Sequence, residues 1–300
     1  MQIDVVSSLI RLHAVERSDQ VATYAQIAAA VDRCRSALAA AQMKVKTNSA
    51  LGSLFAKADR LLRTWVAGTN FGDIILLIEV DEAYRIAQAV SAALTDLGAH
   101  EAIRRITKSD MRLSFRQPSQ GKDALWELSL MSFRRRRGVT VAFKDPPDLE
   151  INLGSGFGGY GIACKKVYST DSVGKQFSKG LKQLLPYEGW GLVAFNLDDM
   201  LEERSILVAP TRQAAVGVLA RRNDAFIEAN RRQFQEAVMK GRCDGVWVSS
   251  CAHSDIAGMS PRHNRVTEST LWTVKEAGMG TRIRLDAVQR LIDGVTLSSD

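Results

Sequence analysis

Apolar residues recur at helical spacing through the first part of the chain, in Val21-Ala-Thr-Tyr-Ala-Gln-Ile-Ala-Ala-Ala-Val31 and again across residues 51–66. Steps of three and four put them on one helix face, so residues 2–67, rich in Ala, Leu, Gln and Arg, predict two or three packed helices. Ser18-Asp19 and Thr47-Asn48-Ser49 suit caps or turns, and residues 67–73 suit a loop. The apolar run at 74–80 fits either a short strand or the start of a helix continuing through 83–97; periodicity does not choose between them. Thr23-Tyr-Ala-Gln-Ile-Ala has a faint helix-turn-helix character, but no turn-forming residue precedes the next helix, so plain packing is the expectation there.

After a polar stretch at 108–122 the pattern changes. Residues 123–137 predict a helix closed by Gly138, and 139–143 a strand. Residues 173–185 and 214–239 have helical spacing, while 191–197 and 245–249 are continuous apolar runs of the kind found in strands buried on both faces. The last fifty residues resist assignment. This order predicts an α/β chain: a mainly helical N-terminal domain over residues 1–115, then a mixed sheet flanked by helices over 120–300.

Candidate chemistry concentrates between the predicted strand at 139–143 and the helix at 173–185. In Asp148-Leu-Glu-Ile-Asn-Leu153, alternation puts Asp148, Glu150 and Asn152 on one face and Leu149, Ile151 and Leu153 on the other. A glycine-rich turn at 154–159 follows, then Tyr160-Gly-Ile-Ala-Cys-Lys-Lys166, so the stretch reads as one β-hairpin able to bring Asp148 and Lys165 together. Such a pair suits a divalent cation and a phosphate.

Pro147-Asp148, the hairpin and Ile162-Ala163-Cys164-Lys165 resemble the core of the PD-(D/E)xK restriction-endonuclease-like nucleases. The resemblance implies that fold for residues 120–300 and Mg²⁺- or Mn²⁺-dependent hydrolysis of DNA, by an endonuclease or exonuclease, in settings such as restriction or anti-phage defence. Asp148 becomes the first metal ligand and Lys165 the residue that orients water or neutralises phosphate. Glu127, in the preceding helix, is implied as a further ligand, and Gln176, in the following helix with Lys179 and Gln183 on its face, as a polar residue at the site. The chain departs from the family at Ala163, where an acidic ligand is expected. Glu150 shares a face with Asp148 and is the candidate to replace it. The alternatives are an inactivated enzyme, including an engineered substitution, or a nuclease-fold protein that binds nucleic acid or scaffolds a partner without catalysis.

Forty Lys and Arg against 33 Asp and Glu leave a net charge of +7, which favours polyanionic partners without identifying one; it is the resemblance that implies DNA before RNA. Lys166, on the opposite face from Lys165, is expected to meet solvent or phosphate, as are Lys179, Arg134 and Arg137; the arginine run also suits the end of a helix dipole. Four cysteines without a CxxC pair suit a reducing cytoplasm. No leader pattern and no apolar stretch of membrane-spanning length appears, and the N-terminal helices are left as a surface for a partner or for self-association.

Overall fold

The computed structural model describes residues 23–67, 74–115, 117–135, 138–154, 157–202, 205–259 and 263–293, and these contain eight helices and seven strands. Arg137, the cap expected at Ser18-Asp19 and most of the loop expected at 67–73 lie outside the described residues. Contacts gather the described residues up to 135 into one compact unit and residues 138–201 with 206–293 into a second.

The first unit is helical: α1 (Tyr24–Ala40), α2 (Ala50–Val66), α3 (Ile74–Ala93), α4 (His100–Lys108) and α5 (Gln120–Arg135). Helix α1 begins at Thr23, whose hydroxyl accepts from the Gln26 amide at 3.2 Å while the Gln26 side chain accepts from the Thr23 amide at 2.7 Å. That reciprocal pair satisfies two amides that the first turn leaves open. The ambiguous run at 74–80 is helical, because burial continues at Leu76, Val80, Ala83, Ile86, Ala87, Val90 and Ala93, a spacing only a helix delivers to one core. Helix α5 packs on α3 and α4, so these contacts group residues 120–135 with the helices rather than with the sheet.

Glu82 of α3 is 2 % exposed, and its carboxylate accepts from the Leu113 amide at 2.8 Å. Burial pushes it up to about 7, against the opposing pull of the Leu113 bond and of Arg85. The folded chain therefore keeps a proton that the unfolded chain has released, and stability falls as pH rises from the ordinary carboxyl range to about 7. Urea titrations at pH 5 and pH 8 should differ by about 2–3 kcal/mol for the natural chain, and Glu82→Gln should remove that difference.

The second unit is built on one open mixed sheet. Strands β1 (Val141–Phe143), β2 (Leu149–Asn152) and β3 (Gly159–Lys166) form an antiparallel meander, and β4 (Gly191–Asn196) and β6 (Gly245–Ile256) continue it in parallel. The early part of β6 pairs with β4 and its far end with β5 (Leu207–Ala209), while β7 (His263–Trp272) runs antiparallel along the other edge of β6. Helices α6 (Val173–Gln183) and α7 (Arg212–Met239) cover one face, where Phe177, Phe195, Phe226, Phe234 and Trp272 form a connected aromatic core. Helix α8 (Met279–Asp293) is tied to the start of β6 by Arg284, which donates to both oxygens of the buried Asp244 at 2.6 and 2.9 Å.

The α/β class, the mixed sheet and the mainly helical N-terminal part agree with the sequence-based expectation. All four cysteines are buried and free, and burial pushes the Cys34 thiol up to about 11 and the Cys243 thiol up to about 12, so both stay protonated at neutral pH. Among the described residues no helix is long and apolar enough to cross a membrane.

Candidate functional site

Asp148 stands one residue before β2, with its backbone pinned on both sides: its amide donates to the Ile162 carbonyl at 3.3 Å and its carbonyl accepts from the Lys144 amide at 3.2 Å. The side chain lies across the end of the β2–β3 ladder. Its Oδ2 accepts from the Cys164 amide at 2.6 Å and from Lys165 Nζ at 3.1 Å, and its Oδ1 accepts from Gln183 Nε2 at 3.0 Å. Lys165 Nζ also donates to the Cys164 carbonyl at 2.7 Å. Beyond Ile162, where the pairing of β3 with β2 ends, the two charged side chains of the site thus meet both backbone groups of Cys164. The Asp148 and Lys165 side chains are only 15 % and 10 % exposed, so their attraction is weakly screened and their geometry is fixed by four hydrogen bonds.

Glu150 shares the face of Asp148, yet its carboxylate is engaged elsewhere: Oε2 accepts from the Tyr187 hydroxyl at 2.5 Å, and Oε1 lies 3.9 Å from Lys144 Nζ. Burial, reinforced by the Glu150 carboxylate, holds the Tyr187 phenol well above its ordinary range, so it remains a donor. The carboxylate passes over the start of β3, where a Cβ at Gly159 would come within 2.8 Å of Oε2; glycine is what lets it lie there. Gln183 and Tyr187 both come from the end of α6 and the turn after it, so one short segment holds both acids of the hairpin. Gln176, the expected site residue, lies two turns earlier on the same helix face and is half-buried; Gln183 is the one that reaches Asp148. The sequence signal for Gln183 was its sevenfold spacing from Gln176 on one face.

Ala163 is fully buried in the apolar cluster formed with Val173, Phe177 and Leu181 of α6 and with its register partner Val193. Nearby, a Cβ at Gly180 would lie 2.8 Å from Val193, so α6 sits close down on the sheet. Two small residues permit that approach, and the position expected to carry an acid is occupied by helix–sheet packing instead.

Three further expectations need correction. Lys166 does lie on the opposite face from Lys165, but that face is covered: Lys166 is 6 % exposed, pairs with Asp199 at 2.8 Å and donates to Asn196 Oδ1 at 2.5 Å, so it meets neither solvent nor phosphate. Arg134 is 2 % exposed, with its guanidinium 4.7 Å from the Phe133 ring centre, and offers no phosphate-binding surface. Glu127 is held within the helical unit by Arg105, at 2.6 and 3.3 Å, which occupies the carboxylate expected to reach a metal. Lys179 is exposed as anticipated.

No protein family, curated protein or solved structure matches the chain. Among the described residues no group of three or more His, Cys, Asp or Glu side chains is arranged to hold a metal ion. The oxygens that fit a hard cation are one Asp148 carboxylate oxygen and the Cys164 carbonyl, with Glu150 two residues along the same face. Mg²⁺ is commonly held by one or two carboxylates and completes its shell with water and substrate phosphate, so this smaller set is within its chemistry.

Proposed function

We propose that the protein hydrolyses phosphodiester bonds of DNA at the Asp148–Lys165 site with Mg²⁺ or Mn²⁺, as a divergent relative of the PD-(D/E)xK nucleases. The single observation that carries this reading is the convergence of Asp148 and Lys165 at 3.1 Å, with Gln183 on the other carboxylate oxygen. Asp148 and the Cys164 carbonyl would hold the cation. When bound, it would supply the Lewis acidity that offsets developing negative charge on the phosphate. Lys165 has three donors and spends two on Asp148 and Cys164; the third is available to a phosphate oxygen or to the attacking water. Gln183 fixes the orientation of the Asp148 carboxylate, which leaves little conformational entropy to lose when substrate arrives.

A second reading, nucleic-acid binding without hydrolysis, is favoured by one observation: Ala163 is absorbed into packing, so a single carboxylate converges with the lysine. Cleavage of plasmid and linear DNA in Mg²⁺, Mn²⁺ or EDTA separates the two. On the nuclease reading the natural chain cuts only with metal, and Asp148→Asn and Lys165→Met each lower the rate by about 100-fold. If the chain binds DNA but never cuts, the binding reading replaces it; cutting that persists in Asp148→Asn removes the site from the account altogether.

A further inference from the structure

We propose that the outer face of α6 is a track for the phosphate backbone of duplex DNA, carried by Lys175, Lys179 and Lys182; this rests on the DNA reading of the neighbouring site. Helix α6 buries Val173, Phe177, Gly180 and Leu181 against the sheet. The three lysines, spaced by four and then three residues, fall together on the arc opposite that buried face, and all three are exposed. No residue of α6 is acidic, and the nearest acids in sequence, Asp171 and Glu188, lie beyond its two ends. None of the three lysines has a carboxylate partner among the described residues, whereas Arg35, Arg231 and Lys240 on other helices pair with Asp32, Glu228 and Glu236. Their charges are therefore uncompensated and aligned.

The dimensions suit a polyanion. Seven residues of helix separate Lys175 from Lys182, about 10 Å along the axis, comparable with the reach of two to three phosphates on one strand. Lys182 is followed directly by Gln183, whose amide holds Asp148, so the row ends beside the site. The remaining residue on this arc is Ser178, and no large apolar side chain joins it, which disfavours insertion at a lipid surface.

Binding of the full-length chain to a labelled 30-base-pair duplex, measured in EDTA as salt rises, tests the track independently of cleavage. Three phosphate contacts contribute a slope of about −2.7 in log K against log salt, or roughly a 40-fold loss of affinity between 50 and 200 mM. Lys175→Ala/Lys179→Ala/Lys182→Ala should remove that part of the slope, and the corresponding triple arginine variant should keep it. A control triple on other elements, Lys108→Ala/Lys275→Ala/Arg290→Ala, should leave the slope within about one contact of the natural chain. An unchanged slope in the α6 variant overturns the proposal, as does a control variant that flattens it equally, or binding confined to single-stranded RNA. The nuclease reading stands or falls separately on metal-dependent cutting: a chain that cuts with an unchanged α6 slope retains the site and loses the track, and one that binds through α6 but never cuts does the reverse.

Discussion

Ala163→Glu is expected to lower stability by at least about 4 kcal/mol in metal-free buffer at pH 8, rather than to restore a missing ligand. The alanine is fully buried among Val173, Phe177, Leu181 and Val193, and α6 approaches the sheet so closely that Gly180 faces Val193 without room for a side chain. Added bulk in a filled core costs about 1–3 kcal/mol, and an acid forced into apolar surroundings without a partner costs about 3–5 kcal/mol more, whether it ionises or keeps its proton. Lys165, two residues along the same strand, already pairs with Asp148 and the Cys164 carbonyl, so it has a single donor left and its one charge would have to be shared between two carboxylates. Ala163→Val separates the two contributions, because it adds volume without charge and should cost only the first. Urea midpoints for both variants, in EDTA and in Mg²⁺, decide the matter. A glutamate variant as stable as the natural chain that also cuts DNA faster in Mg²⁺ would show that this position has room for an acid.

The hairpin was the most legible part of the chain, and the reason is local. Alternation assigns Asp148 and Glu150 to one face of β2, and the glycine-rich turn limits the ways β3 can return, so the meeting of Asp148 with Lys165 follows from a stretch of about twenty residues. What alternation supplies is a face, not what covers it. Alternation puts Lys166 on the face of β3 opposite Lys165, yet it is buried there, because β4 is covered on both faces and its neighbour β3 shares that cover on the Lys166 side. Glu127 shows the same limit in a helix: its place on α5 is local, but its partner Arg105 comes from another helix 22 residues earlier. The last fifty residues resist assignment because β6 extends past the apolar run through His253, Ser254 and Asp255, polar positions held in the strand by pairing with β7 and, at Ser254 and Asp255, with β5 as well. Propensity does not carry that information; pairing between distant segments does.

Phe234→Ala is expected to destabilise the sheet unit by about 3–5 kcal/mol, the cost of deleting a buried aromatic side chain and leaving a cavity. Phe234 is completely buried on α7, and its ring lies 4.8 Å from Phe177 of α6, 5.7 Å from Phe195 of β4 and 6.3 Å from Trp272 of β7. It is therefore the one ring in this cluster that joins both covering helices to two strands, and its neighbours cannot collapse into the gap without moving backbone. Phe234→Leu retains most of the volume and should cost appreciably less. The same substitution probes the candidate site at a distance: Phe177 lies on the face of α6 that packs against Phe234, and Gln183 lies less than two turns further along. If the position of α6 is what holds Gln183 on Asp148, Phe234→Leu should lower metal-dependent cutting more than a surface change of equal stability cost, at a temperature where both variants remain folded. Equal cutting by the two would mean that the hairpin positions Asp148 without help from the helix packed above it.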